Sequence, residues 1–262
     1  MKKNIITGTE QLLVENNGGV ITITLNNPKY KNALSEEITP YLRKVLKRID
    51  KDTSSKVLII RGYGDSFCSG GNIKKMNKSN EISPTFKKQV ESLEKKQIEL
   101  TGLLYSLKIP TIAVITGAAA GAGFSIALAC DIRIANSDAF FISNYSRIGL
   151  SGDYGISWFL PKVVGESKAK EIMFLNNRIY SKEALDIGLI NILIDKNFEE
   201  SLGVIIKTLL SQSNIALKFI KKNINSALKN SLKASLRLEA YHLIKSANTI
   251  EHKEAVLNFK KK

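Results

Sequence analysis

Cysteine, histidine and proline are scarce in this sequence of 262 residues. The two cysteines, Cys68 and Cys130, cannot build a disulfide framework, and five prolines exclude a proline-rich architecture. The only histidines, His242 and His252, do not have the spacing typical of metal ligands. The apolar runs, such as residues 57–60, are far too short to cross a bilayer, so we expect no membrane partner. With 44% hydrophobic residues, the chain is nevertheless predicted to fold around a sizeable core.

Several common catalytic motifs are also missing. The sequence contains neither G-x-G-x-x-G nor G-x-x-x-x-G-K-[ST], which argues against nicotinamide dehydrogenases and P-loop NTPases. Neither histidine neighbours a G-x-S-x-G elbow, so a Ser-His-Asp mechanism is not expected. We therefore predict no metal site and no separate cofactor.

The charge is strongly positive, with 39 Lys and Arg against 24 Asp and Glu, a net charge of +15. This excess has two interpretations: attraction of a polyanionic ligand, or a solvated lysine surface without a specific partner. Because the excess is nearly all lysine rather than arginine, a nucleic-acid reader is not favoured. The first residues include no apolar segment of the kind found in signal peptides, and we expect a cytoplasmic protein.

Strand and helix patterns alternate along most of the chain. A β-branched run at 19–25 and apolar runs at 56–61 and 111–116 predict strands, the last two buried and parallel. Further short strands are predicted at 131–135 and 190–194.

Helices are predicted from an N-cap at Ser35 to about Asp50, and over residues 86–107. Beyond residue 197 the pattern is helical only. We therefore predict an α/β core over residues 1–196 and a helical region over 197–262.

Two predicted strands are each followed by a loop of small residues, at 66–73 and at 117–123. Such loops expose backbone amides, and two of them converging would form an oxyanion hole. The alternative is that these glycines only permit tight turns and close packing.

Five segments, taken in order, resemble the crotonase superfamily, the enoyl-CoA hydratase/isomerase family, over almost the whole chain. They are residues 23–34, 67–73, 110–131, 148–153 and 184–190. The resemblance implies a ββα superhelix with a C-terminal helical region used in trimer assembly. It also implies an acyl-CoA thioester as substrate, with coenzyme A as part of that substrate, and a homotrimer or hexamer.

The resemblance assigns the two oxyanion donors to the backbone amides of Gly71 and Ala122. Ala122 stands where the family usually has glycine, which is acceptable if its φ is negative. Further substrate contacts are implied for Lys29, Ser69, Gly70, Ile73, Tyr145 and Trp158. Lys29 is alternatively a solvated loop residue.

The sequence departs from the hydratase pattern at the two catalytic glutamates, whose positions are taken by Ser125 and Tyr145. The nearby acid is Asp153, in a pattern similar to that of isomerases and of aryl-CoA dehalogenases in this superfamily. A single carboxylate suits double-bond isomerisation, which moves one proton between two carbons. The leading hypothesis is therefore isomerisation with Asp153 as acid/base, unless Asp153 is only a loop or helix N-cap residue.

Three other functions stay open at this point. Hydration would use Asp153 with an ordered water, and dehalogenation would use Asp153 as a nucleophile. A family member without catalytic activity would bind CoA, or RNA through its basic surface.

Overall fold

The computed structural model describes residues 2–71 and 85–259. The chain divides into two compact units, one made of residues 1–107 and 111–198 and the other of 108–110 and 199–262. No helix within the described residues is long and apolar enough to cross a membrane.

The first unit is built on two β-sheets. The strands, in chain order, are β1 (Lys2–Ile5), β2 (Leu12–Asn17), β3 (Val20–Leu25), β4 (Val57–Gly62), β5 (Ser66–Cys68), β6 (Thr111–Ile115), β7 (Ala118–Ala120), β8 (Ile132–Ala135), β9 (Phe140–Ile142), β10 (Ile179–Tyr180) and β11 (Ile192–Leu193). In the part of the chain described, they form a seven-stranded sheet, β1-β2-β3-β4-β6-β8-β11, and a four-stranded sheet, β10-β9-β7-β5.

From β4 to β9, strands that follow each other in the chain alternate between the two sheets. β4, β6 and β8 lie parallel in the larger sheet, and the strand after each of them, β5, β7 and β9, lies in the smaller one. Nearly all side chains of β4 and β6 are buried, as expected for strands inside a parallel sheet. This arrangement confirms the expected crotonase-type α/β architecture.

The helices of the first unit connect and cover these strands. They are α1 (Thr39–Lys51), α2 (Phe86–Gln97), α3 (Leu103–Ser106), α4 (Ala122–Ala129), α5 (Ile156–Val164), α6 (Glu166–Leu175) and α7 (Ser181–Asp186). α1 buries Leu42, Val45, Leu46 and Ile49, the face that its periodicity predicts.

Two predicted helices differ from the structure. α1 begins at Thr39, because Pro40 has no N–H and fits only in the first turn. Ser35 instead starts a turn before the helix, where its hydroxyl accepts the Glu37 amide (3.2 Å) and its carbonyl accepts the Thr39 amide (2.9 Å). The predicted helix at 86–107 is interrupted by a π-helical turn, Ile98–Gly102, between α2 and α3.

The second unit is helical, as expected for the C-terminal region. It contains α8 (Phe198–Leu210) from Glu199 onward, α9 (Asn214–Ala227), α10 (Leu232–Ala247) and α11 (Ile250–Phe259). Ser213 and Ser231 cap α9 and α10 by accepting the amides of Ala216 and Ala234.

Candidate active site

The loop after β5 is fixed by hydrogen bonds to residues 30–34. The Ser69 amide donates to Lys31 O (3.0 Å), and the Ser69 hydroxyl donates to Tyr30 O (3.1 Å). The Leu34 amide donates to Gly70 O (2.7 Å), and Leu34 pairs with Gly71 in a parallel bridge. Gly70 has φ +89°, a conformation that favours glycine, and the turn brings Gly71 to the edge of the loop.

The second loop runs from β7 into α4. Gly121 has φ +51°, and its amide donates to Ile142 O (3.1 Å). Ala122 is the first residue of α4, so its amide has no acceptor within that helix. Its helical φ is negative, which meets the condition for alanine at this position.

The two loops contact each other directly. A Cβ placed on Gly70 would lie 2.8 Å from Ala120 O and 3.3 Å from the Ala122 nitrogen. A Cβ on Gly123 would lie only 2.2 Å from Cys68 O. The glycines therefore permit close packing, which was the alternative to an oxyanion hole. The same packing places the loop that carries Gly71 beside the loop that carries Ala122.

Asp153 lies on the loop before α5, and three hydrogen bonds hold this loop. The Tyr145 hydroxyl donates to Asp153 Oδ1 (2.6 Å), and the Ser125 hydroxyl donates to Asp153 O (3.0 Å). The Tyr154 amide donates to Gln97 Oε1 at the end of α2 (2.6 Å). Asp153 is not the N-cap of α5, since that position is Gly155 and the Asp153 carboxylate bonds Tyr145 instead.

Gly71, Ala122 and Asp153 line one cavity of about 340 Å³. The other described residues in its wall are Leu34, Ser35, Glu36, Thr39, Arg43, Leu93, Lys96 and Tyr154. An oxygen atom of a ligand here would have backbone amides and a carboxylate within the same cavity.

Burial alters the proton affinities of this site. Desolvation raises the pKa of Asp153, and the hydrogen bond from Tyr145 partly opposes this rise. The pKa of Tyr145 is raised by burial first and by the Asp153 charge second. Burial also raises the pKa of Tyr154 to about 12. Both tyrosines therefore keep their protons at neutral pH.

Comparison with known proteins agrees with this geometry. A family model described as enoyl-CoA hydratase/isomerase matches residues 15–262. The chain belongs to this family. It is 32% identical to the 1,2-epoxyphenylacetyl-CoA isomerase of Escherichia coli over 92% of each chain. It is 29% identical to the short-chain-enoyl-CoA hydratase of Clostridium acetobutylicum, covering 95% of this chain and 94% of that protein.

Solved structures give the same result. The enoyl-CoA hydratase from Bacillus anthracis superposes with a TM-score of 0.88 at 27% identity, over 96% of both chains. An enoyl-CoA hydratase from Polaromonas gives 0.85 at 31% identity, over 95% of this chain and 96% of that one. Membership of the crotonase superfamily supports an enzyme, and an acyl-CoA thioester is the substrate class that fits the family.

The positions that resemble the hydratase glutamates are occupied by Ser125 and Tyr145, and both lie beside Asp153. Ser125 is fully buried and its hydroxyl lies 3.3 Å from that of Tyr145. Both side chains therefore contact the carboxylate residue itself, a relation that the sequence pattern did not predict.

The other residues predicted to contact substrate do not all lie at the cavity. Ser69 and Gly70 precede Gly71 in the first loop, whereas Lys29 is exposed in a 3-10 turn at Pro28–Tyr30. Trp158 is not among the residues lining the cavity: its ring packs against Tyr105 and Phe159, and Lys162 Nζ lies over it. Ile73 lies outside the described residues.

Several residues of this site were not predicted from the sequence, among them Glu36, Arg43, Lys96 and Gln97. A helix that began after Ser35 would include Glu36 in its first turn, but α1 starts later and leaves Glu36 exposed in the cavity wall. Asp153 is therefore not the sole acid at the cavity, contrary to the expectation of a single carboxylate. No local pattern marks these residues, because the cavity forms only when α1 and α2 fold beside the two loops.

The sequence predicts no metal site, and a metal site would need several ligand side chains close together. No group of three or more His, Cys, Asp or Glu side chains in the described part of the chain is arranged to hold a metal ion.

Proposed function

We propose that this protein isomerises the double bond of an enoyl-CoA, with Asp153 as the acid and base. The observation that carries this proposal is the cavity that Asp153 shares with Gly71 and Ala122. Coenzyme A enters as part of the substrate, and no separate cofactor is required for the reaction.

In the proposed reaction the thioester oxygen accepts hydrogen bonds from the Gly71 and Ala122 amides. Asp153 removes a proton from one carbon of the acyl chain, and the electron pair of the broken C–H bond passes into the conjugated enolate. The proton then returns from Asp153 to a different carbon, and the thioester carbonyl re-forms. Negative charge collects on the oxygen, where each such amide donor is worth about 2.7–4 kcal/mol.

The buried environment of Asp153 suits this role. A carboxylate with a raised pKa is a stronger base and holds a proton long enough to return it. Because the same carboxylate removes and returns the proton, part of a deuterium label on the substrate is expected to reappear in the product.

The decisive variant is Asp153→Asn, which keeps the size of the side chain and removes its basicity. We expect the rate of double-bond migration to fall by about 10²–10⁴-fold. Glu36→Gln is the matched control, because it neutralises an exposed carboxylate in the same cavity wall. Full turnover by Asp153→Asn on every accepted enoyl-CoA would refute the proposed role.

Hydration is the second candidate, and the Glu36 carboxylate in the cavity wall favours it. Addition of water is helped by two carboxylates, one to orient the water and one to accept its proton. With crotonyl-CoA, hydration would bleach the absorbance of the conjugated thioester, and both Asp153→Asn and Glu36→Gln would slow this change. Isomerisation predicts sensitivity to Asp153→Asn alone.

We also propose that the protein acts in the cytoplasm as a homotrimer, or as a hexamer of two trimers, assembled through its helical unit. Large apolar side chains are exposed there, including Leu232, Leu236, Leu243 and Ile244 on α10. Light scattering after size-exclusion chromatography should give three or six times the 29.0 kDa chain mass. Leu243→Glu should lower this mass, whereas a monomeric wild-type chain would contradict the assembly.

A further inference from the structure

The contact between Tyr145 and Asp153 has a specific geometry that isomerisation alone does not require. The phenolic oxygen lies 2.6 Å from Asp153 Oδ1, a short distance typical of a hydroxyl bound to an ionised carboxylate. Tyr145 is buried next to the N-terminal half of α4, from which Ser125 reaches both residues. Tyr145 is thus held inside the protein, whereas Asp153 is half-buried and lines the cavity.

The number of protons on the Ser125 and Tyr145 hydroxyls determines which oxygen each of them donates to. Each hydroxyl has one proton. The Ser125 proton is directed to Asp153 O at 3.0 Å, and the Tyr145 proton is directed to Asp153 Oδ1. The 3.3 Å contact between the two hydroxyls then has no proton of its own, and the other acceptor near Ser125 Oγ, Gly121 O, is more distant at 3.4 Å. Tyr145 is thus committed to the carboxylate, and its raised pKa keeps the proton in place.

We propose that Tyr145 is a positioning residue: its hydroxyl donates to Oδ1 of Asp153, favours the ionised form of this half-buried carboxylate and leaves Oδ2 as the oxygen that takes up the substrate proton. This inference rests on the proposed function for its catalytic meaning, although the effect on Asp153 exists without substrate. It reassigns Tyr145, which the resemblance implied to be a substrate contact.

Burial alone would leave Asp153 protonated over a wider pH range and reduce the fraction of active base. A donor to the charged form opposes this effect without adding a positive charge. The other charged or titratable groups at this cavity are Tyr154, Arg43 of α1, Lys96 of α2 and Glu36. All four are retained when only the Tyr145 hydroxyl is removed, so its contribution can be isolated.

The test is Tyr145→Phe, which removes one oxygen atom. The pKa of Asp153 should rise, so the acidic limb of the kcat/KM profile should move to higher pH by about one pH unit or more. The Asp153 carboxyl should show the same shift by ¹³C NMR of protein labelled at aspartate Cγ, assigned with Asp153→Asn. Tyr105→Phe, which removes a buried hydroxyl in the same unit, is the matched control and should leave this titration unchanged.

A second substitution covers the case in which Tyr145→Phe does not fold. Placing 3-fluorotyrosine at position 145 makes the phenol a stronger donor, so the Asp153 titration should move to lower pH. Opposite shifts in the two proteins support the proposal, and an unmoved carboxyl titration in the folded variants overturns it. If the titration moves but no enoyl-CoA is isomerised, the proposed function fails while the positioning role stands.

Discussion

At the scale of single residues, Asp153 is a half-buried acid held by two neutral hydroxyl donors. Asp153 receives the Tyr145 hydroxyl on its carboxylate and the Ser125 hydroxyl on its carbonyl. Ser125 and Tyr145 occupy positions where the hydratase pattern has glutamates, so side chains that would be acids there serve here to hold an acid. This exchange would allow the same fold to support the single-carboxylate proton transfer that we propose.

Asp153 is expected to lower the stability of the folded protein near neutral pH. Its pKa is raised by burial, so the folded state keeps the proton to higher pH than the unfolded state, whose pKa is about 3.9. Stability therefore falls as pH rises from that value through the folded pKa, and stays lower above it.

Asp153→Asn removes this penalty while retaining an acceptor for Tyr145. We expect the free energy of unfolding of the variant to exceed that of the wild type by about 0.5–2 kcal/mol at pH 7. Below the pKa that Asp153 has in the unfolded chain, the two proteins should be equally stable. Urea unfolding at several pH values measures the difference, with the exposed Glu36→Gln as control. A variant that is less stable than the wild type at pH 7 would contradict the assignment of a half-buried, destabilised charge to Asp153.

At the scale of secondary structure, the contact between β5 and α4 sets the spacing of the two amides. Gly123 in α4 lies against the backbone of Cys68 at the end of β5, where an added Cβ would meet Cys68 O at 2.2 Å. The loop with Gly71 leaves β5, and the Ala122 amide begins α4. A shift of either element therefore changes the distance between the proposed donors.

Gly123→Ala should consequently reduce both stability and activity. We expect a loss of at least about 1–3 kcal/mol in the free energy of unfolding, together with a lower kcat. Gly203→Ala in α8 is the control, because a Cβ there meets nothing within 4 Å and alanine favours a helix by about 1 kcal/mol. Chemical denaturation and steady-state kinetics of both variants check the result. If Gly123→Ala were as stable and as active as Gly203→Ala, close contact between β5 and α4 would not be needed for the site.

At the scale of the whole molecule, the net charge of +15 is expected to favour an anionic substrate. The phosphates of coenzyme A carry several negative charges, so the overall field should speed its encounter with the protein. Screening lengths fall from roughly 30 Å at 0.01 M to roughly 3 Å at 1 M ionic strength.

We therefore expect kcat/KM for an acyl-CoA to fall about tenfold or more across this range, with kcat nearly constant. An acyl-pantetheine thioester lacks the nucleotide phosphates and should show little salt dependence. If kcat/KM depended equally on ionic strength for the two substrates, the excess of lysine would be only a solvated surface.

The sequence by itself determined the elements that depend on local pattern. The buried strands β4 and β6 follow from continuous apolar runs, and the loops containing Gly71 and Ala122 follow from clustered small residues. The tertiary structure decided what distant segments do together. The three-residue strand β7 has only alanines and exists because β5 and β9 pair with it. Glu36 and Asp153 line one cavity, and Gln97 accepts the amide of the residue after Asp153, because separate elements fold together. No local periodicity records such an arrangement.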